Sequence, residues 1–209
     1  MKQFLFPQVS IGHAIWRTGL TPDFYLGMLG VIKTYRGIIE MIVIGDISVA
    51  WARNGIVKQF LEGKSEYLFF VDSDVWVPTD SLTKLVQHSK DICSGLYFKR
   101  KAPFYPLLMD RELGTNFYKQ RIQYPEDLIE VDACGAGCLL VKRGVLEKLK
   151  EPWFLEPDGK TSDDIYFCEI AKKAGYKIFV EARIKCRHVT EMIVTEETFK
   201  KAYFIDGIR

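Results

Sequence analysis

The chain of 209 residues has no apolar run approaching the roughly 18 residues that cross a bilayer. Its start, MKQFLFPQVS, shows neither the apolar core nor the small-residue cleavage site of a secretory signal. A soluble, intracellular, cytoplasmic protein is therefore expected. No charge of one sign dominates: 29 basic residues against 27 acidic leave a formal charge of +2, so bulk electrostatics gives no reason to expect a nucleic-acid partner. Repeats, low-complexity tracts and linker-like composition are missing as well, which excludes a solenoid and predicts a single domain. The five cysteines (Cys93, Cys134, Cys138, Cys168, Cys186) are odd in number, and their one close pair, Cys134 and Cys138, has no matching second pair. They read as reduced structural thiols rather than as a zinc cage or a disulfide framework.

What is present is an alternation of strand and helix signals over a chain long enough to bury about 70% of its unfolded surface. Phe4 to Ile11 reads as a first strand, and Thr21-Pro22 supplies an N-cap and a first-turn proline for a helix to about Tyr35. Ile38 to Ile44 is a continuous apolar strand; Ser48 to Leu61 carries helical spacing and stops at Gly63. A third strand, Tyr67 to Val71, leads through Pro78-Thr79 into a helix to about Gln87 and a strand from Asp91 to Phe98. Strands this uniformly apolar are covered on both faces, so this βαβαβαβ half predicts an α/β protein with a mainly parallel sheet flanked by helices. Weak, turn-rich sequence from Pro106 to Glu130 suits hairpins. It is followed by a strand in CGAGCLLVKR, a short helix from Gly144 to Leu149, an amphipathic helix from Asp163 to Ala174 and a strand from Tyr176 to Val180. The first half, about residues 1–100, is expected to bind a nucleotide, and the second, about 101–209, to bind an acceptor and carry catalysis.

The third strand ends on two carboxylates, in YLFFVDSDVWVP. In open α/β sheets ligands bind beyond the carboxyl ends of strands, which is where Asp72 and Asp74 fall. If the pleat continues, both point the same way, with the small Ser73 leaving room for an anion bridged by a hard divalent cation. The tripeptide alone is equally a turn that ends the strand.

Four segments in order resemble the GT-A glycosyltransferases, especially the family-2-like group: VAWARNGIVKQFL, FFVDSDVWVPTDSLTKLV, CGAGCLLVKRGVLEKL and TSDDIYFCEIAKKAGYKIFVEARIKCRHV. The resemblance spans about Val49 to Val189 and implies a GT-A fold that moves a sugar from a nucleoside diphosphate sugar, UDP- or GDP-linked, to a hydroxyl acceptor such as a glycan. It implies Mn2+ or Mg2+ held by Asp74, Asp72 and His188, with Asp72 also reaching the ribose. Donor binding then involves Asp46, Arg53, Asn54 and Gly137, and Asp164, beside Asp163, is the general base of an inverting transfer. The family has Glu-Asp where this chain has Asp163-Asp164, a shorter first side chain. Ser162 with those two acids also makes a favourable helix start. Pro7 to Ser10 are expected beside the base and ribose, the Lys99-Arg100-Lys101 run near the diphosphate, and Trp153-Phe154 at the acceptor; Trp51 and Trp76 are read as buried.

Two rivals come from other classes. A nucleotidyltransferase that makes nucleotide sugars shares the sheet, the metal and the carboxylates, but VSIGHAIWRTGLTP is a poor version of its glycine-rich basic signature. A non-catalytic sugar- or nucleotide-binding module is the other.

Overall fold

All five residues of Tyr67–Val71 are buried, and alternate side chains enter opposite cores. Leu68 and Phe70 pack with Ile56 and Phe60 on one face, while Tyr67, Phe69 and Val71 pack with Phe24, Met28 and Leu85 on the other. A strand apolar at every position thus becomes the centre of a three-layer protein.

In chain order the elements are β1 (Val9–Ile15), α1 (Pro22–Thr34), β2 (Ile39–Gly45), α2 (Val49–Glu62), β3 (Tyr67–Val71), β4 (Val75–Trp76), α3 (Ser81–Gln87), β5 (Ile92–Leu96), β6 (Leu108–Arg111), β7 (Tyr118–Gln120), β8 (Leu128–Val131), β9 (Ala133–Cys134), β10 (Cys138–Lys142), α4 (Arg143–Lys148), α5 (Asp163–Lys173), β11 (Ile178–Lys185) and β12 (Arg187–His188). They come from a computed structural model that describes residues 6–15, 19–112, 114–115, 117–159 and 161–190. Seven strands form one sheet in the order β2-β1-β3-β10-β5-β11-β8, with β10 and β8 running against the other five. This is the expected mixed, mainly parallel α/β sheet. Two small sheets, β12-β4 and β7-β6-β9, stand at its rim.

The first strand departs from expectation. It runs Val9–Ile15, later than the apolar signal suggests, because pairing with β2 and β3 carries it through Ser10, Gly12 and His13, none of which looks like core. Gly12 is required there, since a Cβ would sit 2.5 Å from Ile56 Cγ2. Phe4 and Leu5 lie outside the described residues, as do Trp16 to Thr18 of the basic signature. Consequently Pro7 to Ser10 lie at the amino end of β1, opposite the end where ligands bind; the Pro7 carbonyl accepts from the Tyr35 hydroxyl at 2.7 Å.

The five cysteines are free and buried, as expected of structural thiols. Trp51 contradicts the sequence reading: 74% of it is exposed, because the buried stripe of α2 runs through Ala52, Arg53, Ile56 and Phe60 instead.

On β11, buried Glu181 accepts from the Arg183 guanidinium and backbone N–H and lies 2.7 Å from His88 Nε2. The Arg183 hydrogen bonds, outweighing burial, hold its pKa down to about 2 against an ordinary 4.5. A depressed carboxylate stabilises the fold above its unfolded pKa, and the contribution disappears as pH falls through the folded one. Urea midpoints measured between pH 6 and 2 are therefore expected to decline below about 4.5, and Glu181→Gln to flatten that decline. An unchanged slope in the variant refutes the assignment.

Candidate active site

The carboxyl ends of β1, β2, β3 and β5 share one edge of the sheet, and antiparallel β10 begins there, with Cys138 opposite Val71. Directly beyond Val71 the pleat stops. The Val75 N–H donates to the Asp72 carbonyl at 3.0 Å, closing a turn over Asp72-Ser73-Asp74. The two carboxylates therefore diverge, and Ser73 is buried under the start of α1, its carbonyl accepting from the Thr21 N–H and hydroxyl. The turn reading of DSD holds, and Ser73 is buried rather than leaving open space beside the carboxylates.

Asp74 turns toward the rim. Its Oδ2 accepts from Arg100 Nη1 at 2.6 Å, and its Oδ1 lies 3.5 Å from His188 Nε2. His188 arrives through a short ladder: β12 pairs with β4, His188 opposite Val75, and the Val189 N–H donates to the Asp74 carbonyl at 2.8 Å. Arg187 stacks over Trp76 at 4.4 Å and steadies this ladder. His188 Nδ1 donates to the Phe98 carbonyl at 2.7 Å, which directs Nε2 toward Asp74. Burial works against the Asp74 carboxylate, but the adjacent His188 and Arg100 outweigh it and hold its pKa below the ordinary value.

Asp72 turns inward and meets Arg53. This side chain is only 4% exposed; its Nη2 donates to Asp72 Oδ1 and its Nη1 to Asp163 Oδ2, each at 2.7 Å. Burial disfavours the guanidinium charge, yet Asp72, Asp163 and Asp164 together keep it protonated. Asp72, expected at the metal, thus makes its ion pair with Arg53. Among the described residues no three His, Cys, Asp or Glu side chains form a metal cage; the pair that fits a cation is Asp74 and His188.

The start of α5 supplies the other wall. Ser162 is its N-cap residue, but its hydroxyl donates to Asp164 Oδ1 rather than capping the helix. The Ile165 N–H donates to the same oxygen at 2.8 Å, so both of these bonds fall on Oδ1 and neither on Oδ2. Burial, with Asp163 alongside, raises the Asp164 pKa above the usual carboxylate range. Asp163 is buried against Arg53 and ties this helix start to α2. Asp164 lines a cleft of about 570 Å³, together with Lys99, Phe117, Tyr118 and Gln120.

Other expected residues fall differently. Asn54 is a backbone clamp: its Nδ2 donates to the Ala50 and Phe154 carbonyls, and its Oδ1 accepts from the Trp153 and Phe154 N–H groups. Every hydrogen-bonding group of that amide is directed at the protein, not at a donor. Trp153 and Phe154 are both buried, so the aromatic surface of the cleft comes from Phe117 and Tyr118, which the sequence reading passed over. Asp46 is exposed just past β2, at the ligand end, with a positive φ of 63°. At Gly137 a Cβ would lie 3.0 Å from both Asp72 Oδ2 and the Tyr97 hydroxyl, so the glycine lets those two side chains approach the backbone. Tyr97 was also missed: it is buried, accepts from the Gly137 N–H at 2.8 Å and packs edge-on to His188. So was His13, whose Nδ1 meets the Val71 carbonyl at 3.0 Å while its buried Nε2 has no hydrogen-bond partner among the described residues.

No protein-family model and no curated protein matches the chain. Solved structures do. A197 from STIV superposes with a TM-score of 0.65 at 21% identity, over 88% of this chain and 86% of that one. GalNAc-T7, crystallised with UDP, GalNAc and Mn2+, gives 0.61 at 13% identity over 91% of this chain. The chain spans less than half of GalNAc-T7, 45% of its length. At such identities the shared property is architecture: this chain has a GT-A-like fold.

Proposed function

We propose that the protein transfers a sugar from a nucleoside diphosphate sugar to an acceptor hydroxyl, with Mn2+ or Mg2+ at Asp74 and His188 and with Asp164 as the base of an inverting displacement. The observation that carries this reading is the Asp72–Arg53–Asp163 bridge, which locks the DSD turn and the Asp164-bearing helix start together at the ligand edge of the sheet. A fold likeness to a protein crystallised with UDP, GalNAc and Mn2+ supports the donor class, although function is argued from the site and not from the fold.

A carboxylate with an imidazole nitrogen 3.5 Å away suits a borderline divalent ion once that nitrogen gives up its proton, and nitrogen favours Mn2+ over Mg2+. When bound, the cation offsets negative charge on the departing diphosphate. The chain's own groups do the rest. Arg100, exposed beside Asp74, offers a guanidinium to phosphate oxygens. Asp46 and the free oxygen of Asp72 are the groups for base and ribose. Asp164 Oδ2 takes the proton of the acceptor hydroxyl while that oxygen bonds to the anomeric carbon and the carbon–diphosphate bond breaks on the opposite face, which inverts the centre.

A panel of UDP-, GDP- and dTDP-sugars in Mn2+ and in EDTA tests this. The expected result is metal-dependent release of one nucleoside diphosphate, with the metal-dependent part lost in Asp74→Ala. Folded protein that binds no donor overturns it.

A further inference from the structure

The cleft beside Asp164 does not end at its own wall. Tyr118 and Glu169 line it, and the same two residues line a second recess of about 190 Å³ whose other lining includes Arg111, Lys172 and Lys173. The Tyr118 hydroxyl donates to Glu169 Oε1 at 3.3 Å, a rung between the two spaces. From this geometry we infer that the acceptor is a glycan of at least two sugar units, the reacting unit uncharged and seated beside Asp164, the next lying over the Tyr118–Glu169 rung. The inference rests on the glycosyl-transfer reading.

The lining selects the chemistry. A volume of about 570 Å³ sits in the roughly 300–1,000 Å³ range of small-molecule sites. Tyr118 and Gln120, two residues apart on β7, point into it from one face of the strand. Phe117 is 73% exposed and presents a ring at the cleft rather than to any core. With Tyr118 it gives flat apolar faces of the kind that pack against the C–H faces of sugar rings. Asp164 and Glu169 are carboxylates, and carboxylates only accept hydrogen bonds, which matches a ligand rich in O–H donors. Among the described residues Lys99 is the one basic member of that lining, against Asp158, Asp164 and Glu169, so an anionic reacting unit meets net repulsion. Among the described residues, basic side chains gather in the second recess, where Arg111, Lys172 and Lys173 stand and Asp132 pairs with Lys172. A negative substituent is therefore accommodated on the second unit and rejected on the first.

The test is saturation-transfer NMR on the full chain with glucose, galactose, mannose and N-acetylglucosamine, their two- to four-unit oligomers, disaccharides bearing a uronate on either unit, and a Ser/Thr peptide. Expected are binding of a neutral di- or trisaccharide at least about tenfold tighter than its monosaccharide, and a loss of about two- to tenfold in Phe117→Ala, whose exposed position leaves the melting temperature unchanged. Preference for monosaccharides, for a uronate on the reacting unit, or for the peptide overturns the inference. Donor hydrolysis measured without acceptor reads the underlying function separately. Donor turnover with no neutral-glycan binding sinks the acceptor inference alone, whereas glycan binding with no turnover of any donor upholds the groove and sinks the transferase reading.

Discussion

Replacing Arg53 with methionine is expected to destabilise the protein by about 3–5 kcal/mol, the range found when one partner of a buried ion pair is removed. For a chain of this size that is a fall in melting temperature of roughly 6–20 °C. The reason lies in what remains behind. Methionine fills much of the volume but leaves Asp72 and Asp163, each previously 2.7 Å from the guanidinium, as two carboxylates around an apolar side chain. Asp163 is buried, so water does not replace the lost charge. Lysine in place of Arg53 recovers only part, because one ammonium does not reproduce two divergent N–H bonds. Thermal melts decide: a shift under about 2 °C for Arg53→Met removes the bridge from the account of the site. A double variant, Arg53→Met with Asp163→Asn, is expected to regain stability, since it removes one stranded charge.

The second large effect is kinetic. Asp164→Asn is expected to lower kcat by about 10²–10⁴ while donor affinity holds, since the amide keeps the shape and the acceptor oxygen but takes no proton from an attacking hydroxyl. The pH profile gives an independent signature. Burial raises the Asp164 pKa, and a base must be ionised to act, so the acid limb of kcat/KM is expected above the ordinary carboxylate value of about 3.9. In Asp164→Asn that limb vanishes from the residual activity. Undiminished turnover in the variant moves the base elsewhere, and Asp163 is excluded as the substitute by its burial against Arg53.

Strand order apart, much of this architecture can be read from residues alone. The apolar runs at Ile38 to Ile44 and Tyr67 to Val71 and the caps Thr21-Pro22 and Gly63 mark their elements closely, but only Tyr67 to Val71 is covered on both faces; β2 is an edge strand that leaves Met41 and Val43 exposed. β1 shifts because its later half holds Gly12 and His13, whose fitness for a core depends on the neighbours Ile56 and Val71. The site is legible by residue type and not by partnership. Asp74 and Asp164 are visible as chemistry; that Arg53 joins Asp72 to an Asp163 that lies 110 positions beyond Arg53 is not, because nothing local encodes it. Arg53 and Asn54 were instead expected at the donor, because side-chain destination is a tertiary property. β4 and β12, two residues each, carry no periodicity at all, yet they bring His188 to Asp74.

The insertion of β10 between β3 and β5 has a consequence for how the protein is made. A growing chain that has just passed Phe98 already contains Arg53, Asp72 and Asp74, but the gap between β3 and β5 stays open until residues 138–142 thread into it, and Asp163 and His188 come later still. Contacts of such sequence separation form slowly. Until they do, Arg53 has one of its carboxylates and not the other, so the nascent chain has no partial site to occupy and acquires its chemistry only when the sheet closes.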